Sequence, residues 1–165
     1  MKNLKLIFFS IIMTMISGCK SIDITQKPDF KEIHAFLDQW HHAAAIADEE
    51  TFFTAFTKDG IYIGTDPTEH WTALELKQWS QSAFEKTSAW AFTPHDRHIY
   101  ISQDGSIIWF DELLDTWMGP CRGSGILKQE DNQWKIAHYH LSVAVPNEAI
   151  PAYLKIIADQ PTDSP

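Results

Sequence analysis

Three short stretches of this chain place strongly polar side chains among aromatic and aliphatic ones. Trp134 to Ser142, WKIAHYHLS, sets His138 and His140 two residues apart. Trp109 to Trp117, WFDELLDTW, holds Asp111, Glu112 and Asp115, and Arg122 follows in CRGSG. Successive side chains of a strand point to opposite faces. His138 and His140 therefore share a face with Trp134, Ile136 and Ser142. Asp111 and Asp115 share one with Trp109, Leu113 and Trp117, and Glu112 lies on the other with Phe110, Leu114 and Thr116. The histidine pair is open to three chemistries: metal ligation completed by Asp111, Glu112 or His41, acid–base or hydrogen-bonding work in a pocket, or structural hydrogen bonding. No HExxH or CxxC spacing supports a metal, so neither a metal nor a cofactor is expected.

A carboxylate between two tryptophans is costly to bury unless it is paired. Unpaired, it has a raised pKa and suits a general base near neutral pH; paired, it belongs to an ionic contact or a dimer seam. Arg122 is the natural partner for Asp111, Glu112 or Asp115, or a grip for a substrate carboxylate. If the chain is an enzyme, Asp111, His138 and His140 are the catalytic candidates. Asp111, Arg122, His138 and His140 are expected to form one polar cluster beside a cavity entered near Asp66. Gly123-Ser124-Gly125 lacks the glycine that a nucleophile elbow needs two residues before its serine. Those glycines fit a bulge or room for a ligand above the sheet. Thr65 and Asp66 follow a short strand and either line a pocket mouth or form a plain turn closed by Pro67. Trp40, Tyr62, Trp71, Trp109 and Trp117 suit a pocket wall and suit an ordinary core equally well.

The elements that must position these groups are legible from periodicity. Asp29 caps a helix, with Glu32 as its capping-box partner, and Ile33, Phe36, Leu37, Trp40, Ala44 and Ala47 follow at helical spacing. Asp48 opens a shorter helix through Phe56, Asp59-Gly60 is a turn, and Ile61 to Ile63 is a strand ending in the loop GTDPTEHW. Thr72 and Glu75 form a capping box for a helix to about Lys86. Strands follow at Arg97–Ser102, Ser106–Trp117, Cys121–Gln129 and Trp134–Val145, joined by turns at Asp104-Gly105, Met118–Pro120 and Glu130–Gln133. A last helix runs through Ile150, Tyr153, Leu154 and Ile157. Helices first and antiparallel strands afterwards give an α+β class.

The ends and the composition bound the function. Lys2 and Lys5, an apolar run from Leu6 to Ile16, and Ser17-Gly18-Cys19 make residues 1–18 an export signal. Ile16-Ser17-Gly18-Cys19 resembles the bacterial lipobox, which implies lipid on Cys19. Residues 19–28 are then a tether, 29–158 the folded domain and 159–165 a disordered tail. Lys20 directs such a lipoprotein to the outer membrane, facing the periplasm, if the host is Gram-negative. Of two cysteines, Cys121 alone is left, so the fold must rest on an apolar core, which a 44% hydrophobic composition can supply. A formal charge of -9 without a basic stripe argues against nucleic acid.

GTDPTEHW, WFDELLDTWMGPCRGSG and WKIAHYHLS together resemble the SnoaL-like group of the nuclear transport factor 2-like superfamily. The last motif is also similar to the final strand of the calcium/calmodulin-dependent protein kinase II association domain. The resemblance spans Phe30 to Asn147. It implies a cone, with a curved antiparallel sheet and helices packed on its concave face. It also implies a pocket for a small, partly apolar ligand; from the residues themselves, Trp40, Tyr62, Thr65, Asp66, Trp71, Trp109, Asp111, Arg122, His138 and His140 are expected to line it. An isomerase- or dehydratase-type enzyme and an oligomerisation or envelope-partner module are the alternatives. Apolar residues on both faces of the sheet lead to an expected homodimer through its outer face.

Overall fold

The computed structural model describes residues 29–159. The chain opens with helix α1 (Phe30–Ala45), whose Asp29 cap accepts the Lys31 N–H at 2.9 Å. The capping box with Glu32 does not form; the Glu32 N–H bonds the Asp29 carbonyl instead. α1 buries Ile33, Leu37, Trp40, His41, Ala43 and Ala44, the stripe that helical periodicity places on one side. Helix α2 (Glu49–Thr54), capped by Asp48, stops two residues short of the expected Phe56. Phe56 instead starts strand β1 (Phe56–Ile63), where pairing with a later strand buries it. Asp59-Gly60 is therefore no turn but an irregularity within β1, where the register shifts between Phe56 and Ile61. Gly60 has no Cβ to obstruct the Ile136 carbonyl and the Phe56 ring.

The loop after β1 yields a short edge strand that periodicity missed, β2 (His70–Thr72), paired with Ile61–Ile63. Thr72 then caps α3 (Ala73–Phe84) in the full capping box with Glu75. β3 (Thr93–Ile101), β4 (Ile107–Thr116), β5 (Gly119–Glu130) and β6 (Gln133–Val143) form the antiparallel run. A short 3-10 turn and helix α4 (Ile150–Ala158) follow. Among the described residues, no helix is long and apolar enough to cross a membrane.

The six strands make one curved sheet in the order β2-β1-β6-β5-β4-β3. β1 runs parallel to β6 and the other pairings are antiparallel. α1 and α3 cover the inner face, where Ile108, Phe110, Leu114, Leu127, Ile136 and Tyr139 meet Ile33, Leu37, Trp40, Leu76 and Phe84. Among the described residues no helix covers the other face, whose residues alternate with the core positions along β4 and β5.

Register fixes which side chains share a face. One inner row runs Phe110, Gly125, Tyr139, Tyr62, Trp71 across β4, β5, β6, β1 and β2. One outer row runs His98, Asp111, Ser124, His140, Ile63, His70. The neighbouring outer row runs Tyr100, Trp109, Ile126, His138, Ile61, Thr72.

Candidate functional site

At the end of the inner face, beneath α3, lies a cavity of about 260 Å³. Its floor is Tyr62 and Leu141, one wall is Trp71 with Trp79 of α3, and the opposite wall is Trp90, Trp117 and Met118. The walls are braced from behind. Trp90 packs edge-on against Phe52 and Phe84, each at a ring-centroid distance of 5.3 Å. Trp71 and Trp79 lie 4.6 Å apart, and Tyr62 packs on Tyr139 at 5.4 Å. Such aromatic pairs hold a pocket open without strain.

Three polar groups reach this cavity. The Tyr62 phenol is pushed above its ordinary value by burial, then by the charge of Glu69 and by Cys121, so it remains a hydrogen-bond donor at any physiological pH. Thr65 donates weakly to the Met118 sulfur at 3.9 Å. Glu69 folds back under the loop, its carboxylate accepting the Asp66 N–H at 3.2 Å. Gly64 makes this possible, because a Cβ there would occupy the space of the Glu69 side chain. Asp66 itself is exposed and holds Thr68 at 2.6 Å, which keeps its carboxyl below the ordinary value.

Deeper in the inner face is a buried ionic network. Glu112 is fully buried; one oxygen meets His41 Nε2 at 2.7 Å and the other accepts from Arg97 Nε at 2.7 Å. Arg97 extends outward to Asp38 at 2.8 Å and to the His34 carbonyl at 3.1 Å. A bulge between His95 and His98, with Asp96 at φ 48°, turns Arg97 inward. Burial would raise the Glu112 carboxyl, but the His41 hydrogen bond and charge, with Arg97, hold it below its ordinary value. The Tyr139 hydroxyl sits beside this carboxylate, buried and without a protein partner, and burial raises its pKa well above the ordinary.

The side chains expected to form one cluster beside the cavity all lie on the outer face of the sheet, away from the cavity. Asp111 and Arg122 pair at 3.1 Å, and His98 approaches the same carboxylate at 3.5 Å, on the outer face. His138 and His140 are on that face too, two strands from Asp111. Burial lowers the His138 pKa, aided by His140 and His70. Strict alternation would have kept His138 and His140 on the face of Trp134 and Ile136; a register shift in β6 between Ile136 and His138 breaks it, so Ile136 and Tyr139 both face inward and the two histidines point away from the cavity, as Asp111 does beside the inward Glu112. Trp109 is likewise outward and stacks on Tyr100 at 5.7 Å. Trp40 is a core residue against Tyr139 and Phe52, and not a wall of the aromatic cavity. Of the residues expected to line a pocket or suit its wall, Tyr62, Thr65, Trp71 and Trp117 line it.

Gly123 and Gly125 leave room for the protein itself rather than for a ligand: a Cβ at Gly123 would strike the Tyr139 hydroxyl, and one at Gly125 the Phe110 ring. Glu69, Trp79 and Trp90 are the cavity groups that sequence reasoning passed over. The signal for Glu69 was its place in GTDPTEHW, five residues after a glycine that ends a strand.

The SnoaL-like domain model matches residues 33–146. A comparison with curated proteins finds no match. Among solved structures, a Nostoc punctiforme domain with a cystatin-like fold is 15% identical at a TM-score of 0.65, over 84% of this chain and 91% of that one. A nuclear transport factor 2-like protein of Pseudomonas putida is 14% identical at 0.59, over 72% and 89%. A Xanthomonas campestris protein, provisionally described as a calcium/calmodulin-dependent protein kinase II association domain, is 18% identical at 0.55, over 73% and 90%. At these identities the likenesses speak to fold alone. The family match across most of the described residues, on a curved sheet whose inner face ends in a cavity, makes this chain a member of the SnoaL-like domain family with the nuclear transport factor 2-like fold.

Proposed function

We propose that this SnoaL-like domain binds a small, partly apolar molecule in the aromatic cavity beneath α3, held at the cell envelope by lipid on Cys19. The carrying observation is the cavity: six aromatic side chains, several of them braced by the core, with a phenol, a hydroxyl and a carboxylate among them. Apolar walls with a few placed polar groups are what small-molecule sites use. At about 260 Å³ the space suits a ligand smaller than most drugs, whose sites run to about 300–1,000 Å³. Binding is favoured over an isomerase- or dehydratase-type reaction. The buried carboxylate Glu112 is kept ionised by its partners, which makes it a weak proton acceptor near neutral pH. Asp111, His138 and His140 are on the opposite face of the sheet.

The uncovered face supports a homodimer. Tyr100, Trp109 and Ile126 are exposed there, and Asp111 beside Arg122 gives a charge pair complementary to its own two-fold copy. Residues 1–28, which carry the signal, Cys19 and the tether, lie outside the described residues, as does nearly all of the expected tail. The export and lipid reading, and with it the periplasmic face of the outer membrane in a Gram-negative host, rests on the sequence alone.

Mass spectrometry of small molecules released from the full-length chain tests the binding reading. A defined molecule should co-purify with the wild type and be lost from Ala83→Phe, which fills the cavity from α3. Retention of the same molecule by Ala83→Phe would exclude this cavity as its site.

A further inference from the structure

The cavity's lining is unusual in its balance of charge and aromatic surface. Tyr62, Trp71, Trp79, Trp90 and Trp117 surround it, and Glu69 is the only charged side chain among the lining residues. None of the lining residues is basic, and among the described residues no Lys, Arg or His is within salt-bridge reach of Glu69. A carboxylate facing tryptophans without a cation is incompletely matched. The faces of aromatic rings are negative, and Trp attracts cations best. A carboxylate and a lining of Trp and Tyr rings around one small space therefore favour the same thing, a positive charge with an apolar coat.

A hydrated metal ion does not fit this lining, since hard cations take oxygen ligands and the cavity is mainly carbon. An anion would meet Glu69 and the ring faces and be repelled by both. A neutral apolar molecule would fill the space but cover the Glu69 carboxylate, whose charge is met by a backbone N–H and by no cation, which is costly. The net charge of -9 also raises the local concentration of cations around the domain.

We infer that the ligand of this cavity is a small organic cation with an alkylated ammonium group, caged by Trp71, Trp79, Trp90, Trp117 and Tyr62 and neutralised by Glu69. The inference rests on the reading of the cavity as the ligand site and names the ligand's chemistry. Most of the cage is formed before binding: Trp90 is fixed by Phe52 and Phe84, Trp71 by Trp79 and Tyr62, while Trp117, at the β4–β5 turn, is 82% exposed. Glu69 is fixed by the Asp66 N–H and by the space at Gly64. Little ordering is then left for the ligand to impose.

Calorimetric titration of the full-length chain with choline, tetramethylammonium and 3,3-dimethylbutan-1-ol, the uncharged carbon counterpart of choline, tests this. Both cations should bind, with choline at least tenfold tighter than the alcohol. Glu69→Gln keeps an oxygen for the Asp66 N–H; it should weaken choline tenfold or more and leave the alcohol and the melting temperature unchanged. Equal affinity for choline and the alcohol, or unchanged choline affinity in Glu69→Gln, would overturn the cation inference. So would failure of all three to bind. The ligand-site reading falls by a different result, the retention of co-purified molecules by Ala83→Phe.

Discussion

The two inward- and outward-facing arginines make opposite predictions. From the sequence, Arg122 is the partner whose loss strands a buried carboxylate. In the fold that role belongs to Arg97, whose side chain is 5% exposed and holds the fully buried Glu112 at 2.7 Å. Arg122 is 51% exposed against a partner that is itself partly solvated. Breaking one side of a buried pair costs about 3–5 kcal/mol; an exposed pair contributes about 0–1 kcal/mol. Glu112 has one escape in Arg97→Met, the uptake of a proton. From an ordinary value of 4.5, that costs about 3 kcal/mol at pH 7, at about 1.4 kcal/mol per pH unit. The loss should therefore sit near the lower end of the range, about 3 kcal/mol, lowering the melting temperature by about 10 °C or more.

The sign with pH follows from the same network. Glu112 has a depressed pKa in the fold, so its contribution is complete above its unfolded value and is lost as pH falls through the folded one. At pH 5 the proton escape costs under about 1 kcal/mol, so the gap between wild type and Arg97→Met should shrink. Urea melts of both variants in dilute solution at pH 7 and pH 5 are the assay. Equal losses for Arg97→Met and Arg122→Met, or a gap that widens at pH 5, would refute the reasoning.

Trp109→Glu, on the uncovered face, should convert the dimer to monomer by light scattering without loss of far-UV dichroism; a wild-type chain that is monomeric at micromolar concentration removes the proposal. Gly123→Ala forces a methyl against the Tyr139 hydroxyl, in a ring packed by Trp40, His41 and Phe110. It should cost about 1–3 kcal/mol, and the added change Tyr139→Phe should recover part of that in a double-mutant melt; strict additivity would contradict the contact. Cys19→Ser should shift the protein out of the membrane fraction or leave it unprocessed, and an unchanged partition would remove the lipid anchor.

Capping residues and period-two alternation made most of the elements legible. Thr72 with Glu75 marked α3, Asp48 marked α2, and alternation through WFDELLDTW put Glu112 on a face with Phe110 and Leu114. The α+β class followed from element order. What one strand cannot reveal is which of its faces the helices cover. Asp111 and Glu112 are adjacent acids in one sequence, yet one pairs with a half-exposed arginine and the other is fully buried. The bulge that turns Arg97 inward was equally hidden, because Asp96 in a left-handed conformation leaves no mark in a polar stretch. β2 went unseen because three residues carry too little periodicity, and its strand character comes from pairing with β1. The cavity needed α3 against the β4–β5 turn, residues far apart in the chain, so Tyr62, Thr65, Trp71 and Trp117 were legible in the sequence but Glu69, Trp79 and Trp90 were not.

The seven tryptophans offer the most direct test of the central claim, because together they report three different places. Trp71, Trp79, Trp90 and Trp117 line the cavity, Trp109 is on the uncovered face, and Trp40 and Trp134 border a separate groove between α1, α2 and β6. The measurement is the indole N–H spectrum of the ¹⁵N-labelled full-length chain, before and after addition of the molecules released from the purified protein. The account predicts shifts in the four cavity indoles, with Trp40, Trp109 and Trp134 unmoved. Shifts confined to Trp109, or to Trp40 and Trp134, would contradict it.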